Sequence, residues 1–382
     1  MSKRGTYIVG TGIVPFGRFP ELSHREFAWP AVREAIVESG FEKSDFDVAY
    51  SACALGGMLV GQQTLGKIGL TGLPIINIEN ACSSGSTALG EAIARIEAGL
   101  ADVALVLGVE MLSKLGRGPL PLSPDDWDVA HGLAMPGVYA MRAQRYIYEH
   151  GISRVELSRV AVKARANGAR NPLAQLRTAL TLEEAEASRM VADPLRLAHC
   201  CPTGDGAAAI VVASDDWVKR SRCTAPVRVA ATVLHSGLFD PSPSSMVKSH
   251  VSTKSANEAY EAANLGPEDI DVAEIHDSFS IAELMYYEAF GFARPGEAVA
   301  LLHSGITELG GKHVINPSGG LMARGHPVAA TGVAQLVEVT RQLQGRNGAH
   351  QVEGARVGLC HATGGGISGF EHGACAVTIL KR

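Results

Sequence analysis

A chain of 382 residues with 46% hydrophobic and 19% charged side chains is large enough for two or three packed lobes and too apolar to be disordered. The formal net charge of −5, with no Lys/Arg run interleaved with aromatics, argues against a nucleic-acid or anionic-membrane surface. The longest apolar runs, VALVLGV and AAAIVVA, are far too short to span a bilayer, and the opening MSKRGTYIVGTG lacks the apolar stretch of a signal peptide, so a cytoplasmic location is expected.

In chain order, TYIVGTGIV (6–14) reads as a first strand. A helix follows over 24–40, with an apolar stripe through Phe27, Val32, Ala35 and Ile36 and a stop at Gly40. FDVAYSACA and LPIINIENA are strands, the segment from about Ser84 to Ala98 is a helix, and DVALVLGVEML is a further strand. This β-α-β rhythm predicts an α/β fold with a mostly parallel sheet and helices on its faces. Residues from about 115 to 200 break the rhythm: GRGPLPLSPDDWDVAHGLAMPG is loop-like, and two helical patterns follow it. CPTGDGAAAIVVAS (201–214) returns to strand.

The chain also repeats itself. EAIVESGFEKSDFDVA (34–49) aligns without gaps on EAYEAANLGPEDIDVA (258–273). IINIENACSSGSTALGEAIARIEAG is then echoed by VINPSGGLMARGHPVAATGVAQLVEVTRQLQG, each a strand ending in a glycine-containing turn before an alanine-rich helix. Two matches in the same order imply a duplicated unit. The expected division is a first half of 1–115 plus 200–218, an inserted loop domain of 116–199, and a second half of 219–382. Sites in such folds gather where strand ends and helix N-termini converge.

The chemistry-bearing residues fall at those places. Seven cysteines at irregular spacing, without a C-x-x-C pair, suggest neither a disulfide framework nor a zinc site. No metal is expected, and the adjacent Cys200 and Cys201 read as buried structural thiols. Cys82 stands at the start of the Ser84 helix, where main-chain N–H groups and the helix dipole favour a thiolate. The small residues Ser83, Ser84, Gly85 and Ser86 leave room for a substrate carbonyl, and no acidic residue opposes the charge in the first turn. A small buried thiol filling a tight bend fits the same local sequence. A nucleophile needs a base within hydrogen-bond reach. His326 (ARGHPVAATG), His276 (AEIHDSFS) and His361 (VGLCHATGGG) each lie at a strand end or a glycine turn, whereas His24, His131, His235 and His303 lack such punctuation. Gly364, Gly365 and Gly366 could offer N–H groups to an oxyanion.

Taken together, ENACSSGS (79–86), HDSF (276–279), GHPVAATG (325–332) and CHATGGG (360–366) resemble the four catalytic loops of a thiolase, in that family's order. CPTGDGAAA resembles the segment closing the family's first half. The resemblance spans the chain and implies a thiolase fold: two duplicated βαβ-rich halves in a layered αβαβα core with an inserted loop domain. It implies an acyl-CoA C-acyltransferase, with coenzyme A and acyl-CoA as substrates and no bound cofactor. Cys82 would carry the acyl group and His326 would activate the thiol. His326 would also help bind a thioester oxygen, His276 would hold the water or oxyanion that binds the enolate, and the Cys82 N–H with one from Gly364–Gly366 would form a second oxyanion hole. The HDSF form is similar to the sterol-carrier-protein-type and bacterial–archaeal branch, but Ser278 stands where that branch often has a second thiol. The second proton-transfer group is therefore open between His361, which the resemblance favours, Cys360 and Ser278. Relatives also acylate phenolic rings or cleave CoA esters by retro-aldol chemistry. The branch implies a homodimer and, in several members, a small zinc-ribbon/OB-fold partner that helps bind CoA. Arg117, Arg142, Arg145, Lys163 and Arg165 are the candidate cations for the CoA phosphates.

Overall fold

The structure is a computed structural model that describes residues 4–116, 118, 120–238, 245–365 and 371–382; Gly366 and Arg117 lie outside them. Strand β1 (Thr6–Ile13) leads to helix α1 (His24–Ser39), which starts at a capping box between Ser23 and Glu26 and stops where Gly40 turns left-handed at φ 72°. There follow β2 (Val48–Ala52), α2 (Val60–Lys67), β3 (Ile75–Ile78), α3 (Ser84–Glu97) and β4 (Val103–Met111). An insertion then carries α4 (Trp127–Ala130), α5 (Met135–His150), α6 (Val155–Arg170), α7 (Leu182–Ala187) and a hairpin of β5 (Met190–Ala192) and β6 (Leu195–Arg196). Strand β7 (Asp205–Ser214) re-enters the sheet, and α8 (Asp215–Val218) leads to the second half. That half holds β8 (Val227–His235), α9 (His250–Ala263), β9 (Val272–Glu274), α10 (Ser280–Ala289), α11 (Ala298–His303), β10 (Val314–Ile315), α12 (Gly320–Ala323), α13 (Ala330–Leu343), β11 (Val357–Gly364) and β12 (Ala374–Lys381).

The ten long-range strands form one continuous sheet in the order β10-β9-β11-β12-β8-β1-β7-β4-β2-β3. Read outward from the central β8–β1 pair, each half has the same order, which is the duplication expressed in space. The sheet is mixed rather than mostly parallel. β4-β2-β3 and β11-β9-β10 are parallel, but β7 and β12 run against both neighbours, and β8 meets β1 antiparallel. The cause is connectivity: β12 follows β11 through a connection too short for a crossover, so it must run back, and β7 returns from the insertion in the same sense.

Helices α3 and α13 lie between the halves and touch strands of both. The apolar core accordingly divides into three clusters: one beneath α1 and α2, one around α3 and α13, and one joining the second half to the insertion. Glycine makes the central crossing close. A Cβ at Gly85 of α3 would lie 2.8 Å from the Ala329 carbonyl and the Val333 nitrogen, and one at Gly332 of α13 would lie 2.7 Å from the Ser86 nitrogen. This approach sets the N-termini of the two helices side by side, and those N-termini bear Cys82 and His326. Among the described residues no helix is long and apolar enough to cross a membrane.

Candidate active site

Cys82 sits in a 3-10 turn (Ala81–Ser83) that runs directly into α3. Ala81 adopts φ 48°, a left-handed conformation that alanine rarely takes, and the surrounding bonds hold it there. Its N–H donates to Glu79 Oε1 at 2.7 Å, the Asn80 N–H donates to Ser84 Oγ at 2.8 Å, and Ser83 Oγ donates to the Ala362 carbonyl of β11 at 2.8 Å. The Cys82 turn is thereby fastened to the other half. Gly364 makes that contact possible, since a Cβ there would fall 2.2 Å from the Asn80 oxygen. The main-chain N–H groups of Gly365 and of Cys82 itself lie near enough to the sulfur to favour its charged form.

His326 Nε2 lies 3.2 Å from Cys82 Sγ, and Nδ1 lies 2.8 Å from Thr331 Oγ1. A nitrogen that is to accept the thiol proton must be unprotonated, so Nδ1 carries the hydrogen and donates it to Thr331. His276 follows β9, with its ring edge-on to His326 at 5.0 Å between centroids. One His276 nitrogen, one His326 nitrogen and Cys82 Sγ all lie within 4.8 Å of one another. His276 Nδ1 is buried without a hydrogen-bond partner among the described residues, a lone polar atom in the ring beside Cys82 and His326.

Burial governs the protonation states. It pushes the Cys82 thiol up to about 12, aided by the Glu110 and Glu79 carboxylates, although the N–H groups of Gly365 and Cys82 pull the other way. Burial likewise drives His326 down to about 3, with the Arg324 guanidinium contributing, and holds His276 well below the usual imidazole range. The helix N-terminus therefore does not create a standing thiolate as its position alone predicts. The resting pair is a neutral thiol beside a neutral imidazole.

The other candidates separate by side-chain direction. Cys360 and His361 are consecutive on β11 and so point to opposite faces. Cys360 packs into the central core around α3 and α13, near Glu274, Arg324 and Glu338. His361 is buried on the outer face between the Tyr286 and Phe290 rings, at 4.5 and 4.7 Å. Its Nδ1 accepts the His276 main-chain N–H at 3.3 Å, and its Nε2–H donates to Ser252 Oγ at 3.2 Å. His361 thus supports His276 from behind. Ser278 is buried, and its carbonyl accepts the Cys201 N–H at 3.0 Å. Cys200 and Cys201 are partly buried free thiols, both made less acidic by burial.

The candidate CoA cations are mostly engaged. Lys163 is buried in an ion pair with Glu283 at 2.5 Å, Arg142 is buried against Tyr139, Arg145 pairs with Glu149, and Arg165 donates to the Thr178 carbonyl. Three residues near the site escaped the sequence reading. Thr331 was visible within GHPVAATG, five positions after His326. Tyr139 of α5 and His372, just before β12, carry no local signal and meet only through tertiary folding.

Two family models match: the thiolase N-terminal domain over residues 6–216 and the "Thiolase C-terminal domain-like" model over residues 241–380. The benzoylsuccinyl-CoA thiolase subunit BbsB of Thauera aromatica is 38% identical, with the alignment covering 95% of this chain and 96% of that protein. An acetyl-CoA acetyltransferase of Methanothermobacter thermautotrophicus is 37% identical over 99% of this chain and 100% of its own length. Sterol carrier protein 2 of Homo sapiens is 35% identical over 99% of this chain and 72% of its own. Among solved structures, the Ltp2-ChsH2(DUF35) aldolase superposes with a TM-score of 0.86 at 24% identity, covering 99% of this chain and 97% of its own. Human mitochondrial 3-ketoacyl-CoA thiolase in complex with CoA does so with a TM-score of 0.74 at 17% identity, covering 99% and 98%. At these identities the two superpositions speak for the fold.

Proposed function

The chain belongs to the thiolase family and is an acyltransferase, and from that premise we propose that it forms or thiolytically cleaves a 3-oxoacyl-CoA through an acyl thioester on Cys82. The observation that carries the reading is the 3.2 Å contact between Cys82 Sγ and His326 Nε2. As the sulfur attacks the thioester carbonyl, its proton passes to His326 Nε2 and thence to the departing CoA sulfur, so that one C–S bond forms and one breaks. The resulting imidazolium is transient, and Thr331 Oγ1 keeps the ring oriented through Nδ1–H. We assign the N–H groups of Cys82 and Gly365, which favour the sulfur's charged form, to the oxygen of the tetrahedral intermediate; Gly364 shapes that loop.

In the synthetic direction a second acyl-CoA loses an α-proton, its carbon attacks the Cys82 thioester, and the sulfur leaves and regains its proton. His276 is the neutral imidazole nearest both Cys82 and His326, and its partnerless Nδ1 suits a thioester oxygen or a bound water. We assign the second proton transfer to His276, with His361 holding its main chain. That departs from a direct role for His361 or Cys360, whose side chains leave β11 toward the two cores. A retro-aldol cleavage needs no acyl-carrying thiol, so the Cys82–His326 pair favours acyl transfer.

The relative from Thauera aromatica is named as a subunit. With Lys163 and Arg142 buried, few of the candidate cations are left for the CoA phosphates. We therefore include a homodimer joined by a small CoA-binding partner in the proposal. Native mass measurement of the untagged protein tests this part, and a fully active isolated homodimer sinks the partner. The catalytic reading is tested by intact-mass analysis after incubation with acetyl-CoA and a panel of 3-oxoacyl-CoA esters. It requires an acyl adduct that disappears in Cys82→Ser.

A further inference from the structure

Gly365, just after β11, is held by two residues outside the catalytic loops: His372, just before β12, and through it Tyr139 of the insertion. The Gly365 carbonyl accepts from His372 Nδ1 at 3.0 Å and from the Gly373 N–H at 3.4 Å. A carbonyl only accepts, so His372 carries its hydrogen on Nδ1, and Nε2 presents a lone pair. That lone pair faces the Tyr139 hydroxyl at 3.1 Å, with Tyr286 Oη further off at 3.5 Å. Tyr139 is in turn fixed by stacking on Phe279, next to Ser278, with centroids 4.5 Å apart. Both Tyr139 and His372 are buried, at 2% and 6% exposure. Burial and the Arg142 guanidinium keep His372 neutral, holding it down to about 4, so this tautomer persists across the working range.

We propose that Tyr139 and His372 are positioning residues that hold Gly365 in register with Cys82, coupling the inserted domain to the oxyanion site. Gly365 stands at φ 57°, and its carbonyl bond to His372 anchors the residue at the C-terminal side of the Gly364–Gly365 peptide, whose N–H it carries. Release of the carbonyl removes that anchor, and Gly365 with its N–H can shift away from the Ala81–Cys82 turn it packs against. The inference rests on the acyl-transfer reading for its kinetic consequence but not for its structural one.

The test uses the full chain with three variants. Tyr139→Phe keeps the stacked ring and removes the hydroxyl, His372→Ala removes the relay, and His372→Asn restores an N–H donor near the Nδ1 position. Loss of a whole oxyanion donor slows an acyl-transfer enzyme about 10²- to 10³-fold, so a misaimed one is expected to slow Cys82 acylation at least about tenfold. Tyr139→Phe and His372→Ala should show that loss with KM for the acyl donor within about twofold, and His372→Asn should recover part of it. Hydrogen exchange at the Gly364–Gly365 peptide should accelerate in the first two variants. Acylation at the wild-type rate in both, or unchanged exchange protection there, overturns the relay. If His372→Ala fails to fold, Tyr139→Phe decides alone. A wild-type protein that forms no Cys82 adduct removes the acyl-transfer reading instead, while the exchange measurement still judges the relay.

Discussion

Replacing Gly85 by alanine tests whether the helix crossing sets the reactive distance. The added Cβ meets three atoms at 2.8 Å, two of them main-chain atoms of Ala329 and Val333, so no rotamer change can relieve it. To bring those contacts from 2.8 Å out to 3.4 Å, α3 and α13 must part by about 0.6 Å. Overpacking of this kind costs about 1–3 kcal/mol, against about 1 kcal/mol gained in helix propensity from glycine to alanine. The same shift stretches the 3.2 Å contact from Cys82 Sγ to His326 Nε2. Misplacement of a reacting pair by 1 Å can cost about a hundredfold in rate, so Gly85→Ala is expected to lower kcat by about ten- to a hundredfold. Gly90 is the control on the same helix: a Cβ there meets only Thr232 Oγ1 at 3.9 Å. Gly90→Ala should leave kcat unchanged and stabilise the protein by up to about 1 kcal/mol. Steady-state kinetics and thermal melts of both variants decide the matter. Wild-type kcat and melting temperature in Gly85→Ala refute the reasoning.

Thr331→Val removes the acceptor for His326 Nδ1–H while preserving shape; kcat should fall about tenfold, a fraction of the roughly 10²- to 10⁴-fold that a positioned acid–base group contributes, with little change in KM. Because burial holds His326 down to about 3, its ring remains a proton acceptor through mild acid. The acylation rate in rapid mixing should therefore be flat from about pH 8 to about pH 5 and fall only toward the histidine's own low value; a midpoint near the ordinary 6.5 contradicts this. Lys163→Met leaves the Glu283 carboxylate buried without its cation and should destabilise the fold by about 3–5 kcal/mol in denaturant melts. A double variant that also replaces Glu283 by leucine should recover most of that loss. A single Lys163→Met variant as stable as wild type removes the ion pair from the account.

The duplicated βαβ pattern, the turn bearing Cys82 and its counterpart bearing His326 were legible because they depend on local signals: apolar periodicity, glycine turns and helix starts. The reversed directions of β7 and β12 were not, since strand direction is set by the length and path of a connection rather than by the strand's own residues. Cys360 and His361 show the same limit at finer scale. Neighbours on a strand face opposite ways, so a one-residue difference in register exchanges the core around α3 and α13 for the one beside Tyr286 and Phe290. The nucleophile's charge state escaped for another reason. A helix N-terminus is visible in sequence, but the depth of burial that opposes it is a property of the whole packed molecule. Tyr139 and His372, separated by more than half the chain, become neighbours only when the insertion folds over the β11–β12 connection.

The most direct measurement is the intact mass of the wild-type protein and of Cys82→Ser after exposure to acetyl-CoA and to 3-oxoacyl-CoA esters, with peptide mapping of any adduct. The account predicts one acyl group per chain on Cys82 with at least one of these donors, released by free CoA and absent from Cys82→Ser. No adduct with any donor, or the same adduct and turnover in Cys82→Ser, contradicts it.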